Sequence, residues 1–305
     1  MKREAVSLPR MFSCTLLSAL LLATPPEAPP GEAPDFTQAT AAWHAQREKR
    51  LTAADGWLTL VGLLWLKEGD NLAGSGDGAS VVFPAKAPAQ LGTFHRSGSA
   101  VSFQPAAGVV VTRANQPFLG GPLKSDAEEH PDVLEASGLS FFVIQRGDRM
   151  GLRVKDPEAP ARRNFHGIAT YAADPRWRIE ARWEPAPPGN SLVVPNVLGT
   201  VEKMAAPGTA IFTVDGKEYR LAAVLEEGET NLFFVFGDAT NRTETYGAGR
   251  FLYAQPPKGG RVVLDFNRAY NPPCAFSPYA TCPLPPKQNR LSIAITAGEK
   301  RTGDH

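Results

Sequence analysis

Along most of this chain apolar residues recur with a period of two or in short unbroken runs, which is the pattern of strands. Only residues 35–51 carry a helical period. There Phe36, Ala39, Thr40, Trp43 and Arg47 share a stripe, Gln38, Glu48 and Lys49 lie on the other face, and Asp35 stands where an N-cap belongs. Thr40 and Arg47 interrupt that stripe, so its apolar face is incomplete. The run GWLTLVGLLWL at 56–66 has the length of buried strands, and GDNLAGSGDGAS after it is turn chemistry. Shorter strands follow at 81–83, 100–103, 108–112, 139–145 and 150–155. Residues 174–183 alternate strictly. Trp177, Ile179, Ala181 and Trp183 point one way and Arg176, Arg178, Glu180 and Arg182 the other, the mark of a half-buried antiparallel strand.

The segment EPAPPGN at 184–190 reads as a domain boundary. Beyond it strands are expected at 192–194, 209–214, 218–224, 232–236, 250–253, 261–266 and 290–296, with a hairpin turn at Asp215-Gly216. The expected fold is therefore mostly β: two antiparallel β domains, a sandwich followed by a small barrel or sandwich, with one N-terminal helix. The layout is a helical region at 35–55, a sandwich at 56–184 and a C-terminal β domain at 191–300.

At the start of the chain Lys2, Arg3 and Arg10 flank a 13-residue apolar run at 11–23. A membrane span needs about 20 apolar residues, so the run fits a cleavable export signal instead. Residues 24–34, rich in Pro, Ala and Glu, read as a disordered tether. The expected mature protein is periplasmic or extracellular and has no transmembrane segment. Its charges balance, with 32 basic against 31 acidic residues and no basic stripe, so nucleic acid is not expected as a partner.

Candidate chemistry concentrates in residues 265–290, DFNRAYNPPCAFSPYATCPLPPKQNR, which hold two cysteines, six prolines, three asparagines and two tyrosines. So rigid a segment is either a stapled loop or the wall of a site. Arg250, Asp265, Asn267, Tyr270, Asn271, Asn289 and Glu299 are the candidate ligand-binding residues, since Pro-framed polar side chains bind at low entropic cost. Arg250 and Asp265 flank a turn at 255–260, and hairpin pairing would bring them together. Cys274 and Cys282 form a disulfide or thiol pair. In an oxidising compartment they read first as a bridge, worth about 2–3 kcal/mol for so short a loop. The five scattered histidines and the absence of C-x-x-C supply no metal-ligand spacing, and no G-x-S-x-G elbow is present. No cofactor is implied.

Two stretches, FGDATNRTETYGAGRFLY and VVLDFNRAYNPPCAFSPYATCPLPPKQNRLSIAITAGEK, closely resemble the signature of the domain-of-unknown-function family 1684. The upstream GWLTLVGLLWLKEGDNLAGS resembles the opening of the same family. The matching positions include Asp238, Thr240, Tyr246, Gly249, Arg250, Asp265, Asn267, Tyr270, Asn271, Cys274, Cys282, Asn289 and Glu299. The resemblance implies no established activity. The first β region is also distantly similar to a forkhead-associated sandwich. There Ser75 stands in the place of that fold's arginine, and Ala89-Gln90-Leu91-Gly92 replaces its Ser-x-x-His, which argues against phosphopeptide binding.

The leading functional expectation is a non-catalytic binder of a small polar molecule or cell-envelope component, acting through the Cys-Pro segment. The alternatives are a hydrolase or thiol-dependent enzyme using the same cluster, and a structural interaction module. An enzyme requires a base or a metal near the thiols, and a binder requires a concave pocket.

Overall fold

The computed structural model describes residues 35–302, which belong to one compact unit. The expected export signal and tether lie outside the described residues. The helix α1 runs Phe36–Leu51, and the Asp35 side chain makes no capping bond. Its buried residues are Thr40, Arg47 and Leu51. Of the two polar residues that interrupt the apolar stripe, Arg47 is a point of contact, donating to the Asn271 carbonyl at 3.0 Å, while the Thr40 hydroxyl has no hydrogen-bond partner among the described residues.

The first β region contains β1 (Leu60–Trp65), β2 (Gly69–Gly74), β3 (Val81–Val82), β4 (Gly92–Ser97), β5 (Ala100–Pro105) and β6 (Thr112–Arg113). It continues with β7 (Gln116–Pro117), β8 (Gly121–Leu123), β9 (Leu134–Ala136), β10 (Leu139–Arg146) and β11 (Arg149–Lys155). One sheet has the order β1-β11-β10-β9-β6-β7 and the other β3-β2-β4-β5-β8. Between them Phe83, Phe94, Phe103 and Phe141 form the core, with Phe94 and Phe103 stacked at 4.2 Å. The strand expected at 108–112 is only the short β6. Its neighbours Ala106 to Gly108 form a turn, with Gly108 at φ 78°.

The second region contains β12 (Arg178–Pro185), β13 (Ser191–Pro195), β14 (Val201–Val214), β15 (Lys217–Leu225), β16 (Leu232–Phe236), β17 (Arg250–Ala254) and β18 (Arg261–Asp265). They form a sheet of order β17-β16-β15-β14-β12-β18, with β13 pairing the outer part of β14. The sheet curls into a half-barrel whose end strands β17 and β18 approach each other. Inside are Phe212, Phe234, Phe236, Leu252, Leu264 and Phe266.

Two corrections to the sequence-based layout follow. β12 alternates as expected, but it pairs with β14 and β18, so it belongs to the C-terminal sheet and not to the sandwich at 56–184. The Pro-rich 184–190 segment is a loop within that sheet, because the inward face of β12 completes the barrel core. Residues 290–296 form no named strand. Their backbone groups are satisfied piecemeal: Leu291 N–H donates to the Gly237 carbonyl at 2.8 Å, and the Ile293 carbonyl accepts from Ala239 N–H at 2.9 Å.

All five residues of β16, LFFVF, are buried, which explains its unbroken apolar run. Leu232, Phe234 and Phe236 enter the barrel, while Phe233 and Val235 enter a second cluster with Phe251, Ala280 and Cys282. The Cys-Pro segment is the cover of that outer face. Its Ser277 hydroxyl reaches the Leu60 carbonyl of β1 at 3.3 Å, and Thr281 accepts from Arg146 Nε at 3.0 Å. The segment therefore sits where the two β regions meet.

Candidate functional site

Arg250 opens β17, and its side chain is 0% exposed. Its Nη2 donates to Asp238 Oδ2 at 2.8 Å and to the Ile295 carbonyl at 2.9 Å, and its Nη1 donates to the Ala297 carbonyl. Asp238 is held in turn by the Thr240 N–H at 2.8 Å and hydroxyl at 2.5 Å. The guanidinium replaces the strand neighbour that residues 295–297 lack. Asp265 is not its partner. It pairs with Arg268 at 3.4 Å and caps the turn by accepting from Asn267 N–H at 3.2 Å. β17 and β18 approach without forming a ladder, so the expected hairpin contact between Arg250 and Asp265 does not form.

The three asparagines are used by the backbone. Asn289 donates from Nδ2 to the Ala222 and Val235 carbonyls at 2.9 and 3.0 Å, and accepts from Ala222 N–H at 2.9 Å. It thereby bridges β15 and β16 where their ladder is reduced to the single pair Val224 and Phe233. Asn267 exchanges bonds with both backbone groups of Asp174, at 2.9 and 3.0 Å. Asn271 donates from Nδ2 to the Lys300 carbonyl at 2.7 Å, and its own N–H goes to Glu299 Oε2 at 2.7 Å. Glu299 is fully buried, and Arg47 of α1 stands 3.4 Å from its other oxygen. Burial raises the Glu299 carboxyl above its ordinary range, against the pull of Arg47. Gly298 allows this closeness: at φ 79° a Cβ there would stand 2.4 Å from the Ala269 carbonyl oxygen.

Cys274 and Cys282 are free thiols. The Cys274 N–H donates to Cys282 Sγ at 3.2 Å, so the pair is adjacent without being bridged. The hydrogen bond between the thiols lowers the Cys274 pKa, and that bond together with burial pushes the Cys282 thiol up. The Tyr246 hydroxyl donates to the Cys274 carbonyl at 3.0 Å. Among the described residues no group of three or more His, Cys, Asp or Glu side chains is placed to hold a metal ion.

A cavity of about 2160 Å³ opens beside this segment. Tyr270 and Cys282 bring the Cys-Pro segment into its wall, and β16 and β17 add Phe233, Phe251 and Tyr253. Tyr253 and Tyr270 stack with ring centres 6.2 Å apart, and the Arg47 guanidinium lies 4.8 Å from the Tyr270 centroid. The first β region contributes Trp57, Arg146 and Arg153 to the lining. Of the candidate ligand residues, Tyr270 and Asp265 line the cavity, whereas Arg250, Asn267, Asn271, Asn289 and Glu299 are buried behind it.

Residues 163–300 match the model of a family described as "Protein of unknown function (DUF1684)". The chain belongs to that family. The matched span holds the Arg250 clamp, the thiol pair and the Tyr270 wall, but not Trp57, Arg146 or Arg153 of the first β region. Among solved structures, the chain is 32% identical to an uncharacterized protein of Haloarcula marismortui, over 48% of this chain and 82% of that one, with a TM-score of 0.40. It also matches the FhaA FHA domain, solved with an intracellular domain of its partner, at 16% identity over 30% of this chain and 97% of that one, TM-score 0.22. An FHA domain from a study of phosphothreonine-dependent interactions matches at 18% identity over 32% and 96%, TM-score 0.22. Among the curated proteins none matches.

The arginines of the cavity were the residues that sequence reasoning missed. One signal was available for Arg153. In the strand MGLRVK it is a charged residue inside an otherwise apolar run, on the face opposite Leu152 and Val154. Periodicity shows that such a residue leaves one core, but not what it meets.

Proposed function

We propose that this protein is an exported, non-catalytic binder that holds a small polar ligand or envelope component in the cavity beside the Cys-Pro segment. The observation that carries the reading is the lining. Aromatic rings from the C-terminal half and guanidinium groups from the first β region line one cavity of about 2160 Å³. Apolar walls with a few fixed polar groups are the usual make-up of small-molecule sites, at roughly 300–1,000 Å³. This cavity is larger and its lining is rich in charged side chains, so a small polar ligand occupies one part of it. The thiols act here as wall and packing groups, and after export they can close into a disulfide. No helix among the described residues is long and apolar enough to cross a membrane.

Trp43 and Trp57 both line the cavity, so a ligand there changes their emission. Titration of the purified mature protein with the neutral dye phenylnaphthylamine is expected to saturate at one site while tryptophan emission is quenched. Unsaturable partition, or no change in emission, would sink the proposal. Export is checked on the same material by its intact mass, which should correspond to loss of about the first 23 residues.

A further inference from the structure

Arg153 lies in β11, between β1 and β10, in register with Leu63 of β1 and Phe142 of β10. Leu152 and Val154 on either side enter the sandwich core, which turns Arg153 towards the C-terminal half. The residue is 7% exposed. Its guanidinium is 4.9 Å from the Trp57 ring centre and 5.9 Å from that of Phe142. Its Nε has no hydrogen-bond partner, and among the described residues no carboxylate forms an ion pair with it. Asp126, the carboxylate that acts on it, is already held by Arg146 at 2.9 Å. Burial pulls the Arg153 pKa down to about 10, which still leaves it charged at neutral pH.

A buried cation without a counterion is costly, and aromatic faces return only part of what water gave it. Such a charge is stable in a binding wall because the missing partner arrives with the ligand. We propose that Arg153 anchors an oxyanion, a carboxylate or a phosphate carried on a flat apolar body, in the corner of the cavity formed with Trp57, Arg146, Thr281 and Cys282. The inference rests on the cavity being the ligand site.

Three features favour this chemistry. A guanidinium presents paired donors that match two oxygens of a carboxylate or phosphate, which a neutral ligand would leave unused. Arg146 adds positive potential at the same corner, although Asp126 neutralises part of it. The lining also includes Glu226, Glu227 and Glu229, whose charge disfavours an anion beside them. The Tyr253 ring, the exposed aromatic of the β16 and β17 wall, then covers the apolar body.

The test uses the mature full chain and two dyes, the anionic anilinonaphthalene sulfonate and the neutral phenylnaphthylamine, on the wild type, Arg153→Met and Arg153→Lys. Arg153→Met is expected to weaken the sulfonate dye by at least about tenfold, the scale of one charge-assisted bond pair. It should leave the neutral dye within about twofold, because that dye makes no ion pair. Arg153→Lys, which keeps the charge and loses the fork, should fall between. Benzoate and inorganic phosphate are expected to displace the sulfonate dye from the wild type competitively, and the stronger of the two identifies the oxyanion. Unchanged sulfonate affinity in Arg153→Met, with neutral dye still bound, overturns the anchor while the cavity reading stands. Failure of both benzoate and phosphate to compete on the wild type overturns it without any variant. If neither dye binds the wild type at a saturable site, the cavity reading itself fails.

Discussion

Replacing Arg250 with Met separates a structural clamp from a binding group. Methionine keeps most of the stem and removes the guanidinium, which is 0% exposed and bonded to Asp238, Ile295 and Ala297. Asp238, itself without side-chain exposure, keeps its bonds from Thr240 and a long one from the Ile295 N–H at 3.4 Å, and becomes a buried charge without a cation. Breaking one side of a buried pair costs about 3–5 kcal/mol. Each carbonyl left without a donor adds about 1 kcal/mol, part of which water entering the gap returns. A loss of about 4–6 kcal/mol is therefore expected. Against a total of roughly 5–15 kcal/mol this leaves the variant close to unfolding at physiological temperature. Urea denaturation followed by tryptophan fluorescence measures the loss, and limited proteolysis shows whether residues 295–299 detach first. Adding Asp238→Asn should cost less than the sum of the two single changes by at least about 2 kcal/mol, since the two groups are one unit. A loss below about 1 kcal/mol in Arg250→Met, the scale of an ordinary surface change, would refute the clamp.

Asn289→Ala removes three bonds that bridge β15 and β16. It should destabilise by about 2–4 kcal/mol without altering dye binding, because each of its buried partners loses its complement; denaturant midpoints and the neutral dye read the two effects. His44 is expected to make stability pH-dependent. Burial lowers its pKa from 6.5, so the unfolded chain binds its proton first. Its contribution is present above 6.5 and is lost as pH falls from there through the lowered folded value. Wild type and His44→Gln melted at several pH values between neutrality and the carboxylate range should diverge below 6.5; parallel curves would contradict the assignment.

The family's Cys-Pro segment was legible in the sequence, and so was its place against a strand end, because prolines and cysteines restrict the backbone locally. The alternation of Trp177, Ile179, Ala181 and Trp183 likewise announced the faces of β12, since the strand period is a property of the backbone alone. Local pattern does not say which sheet a strand joins. Sequence reading assigned β12 to the sandwich only because it precedes a Pro-rich loop, and the barrel core claimed it instead.

The same limit governs the site. Composition marks Arg250, Asn267, Asn271, Asn289 and Glu299 as polar groups in a rigid frame, and they are. Whether a polar group binds a ligand or a backbone depends on which carbonyls the fold leaves without partners, and here those carbonyls belong to residues far along the chain. Arg153 shows the converse. The apolar run around it marks it as leaving one core, but nothing in the sequence says what it meets. Only the docking of the C-terminal half over Trp57 and Phe142 removes it from water without giving it an anion. The sequence by itself determined the helix, the rigid segment and the strands with a clear apolar period, because those follow from local periodicity and backbone restriction. By contrast β2, read as turn chemistry, and β4 became strands only by pairing. The tertiary structure decided which polar groups are satisfied and which charge remains open, because pairing and desolvation arise only when distant segments meet.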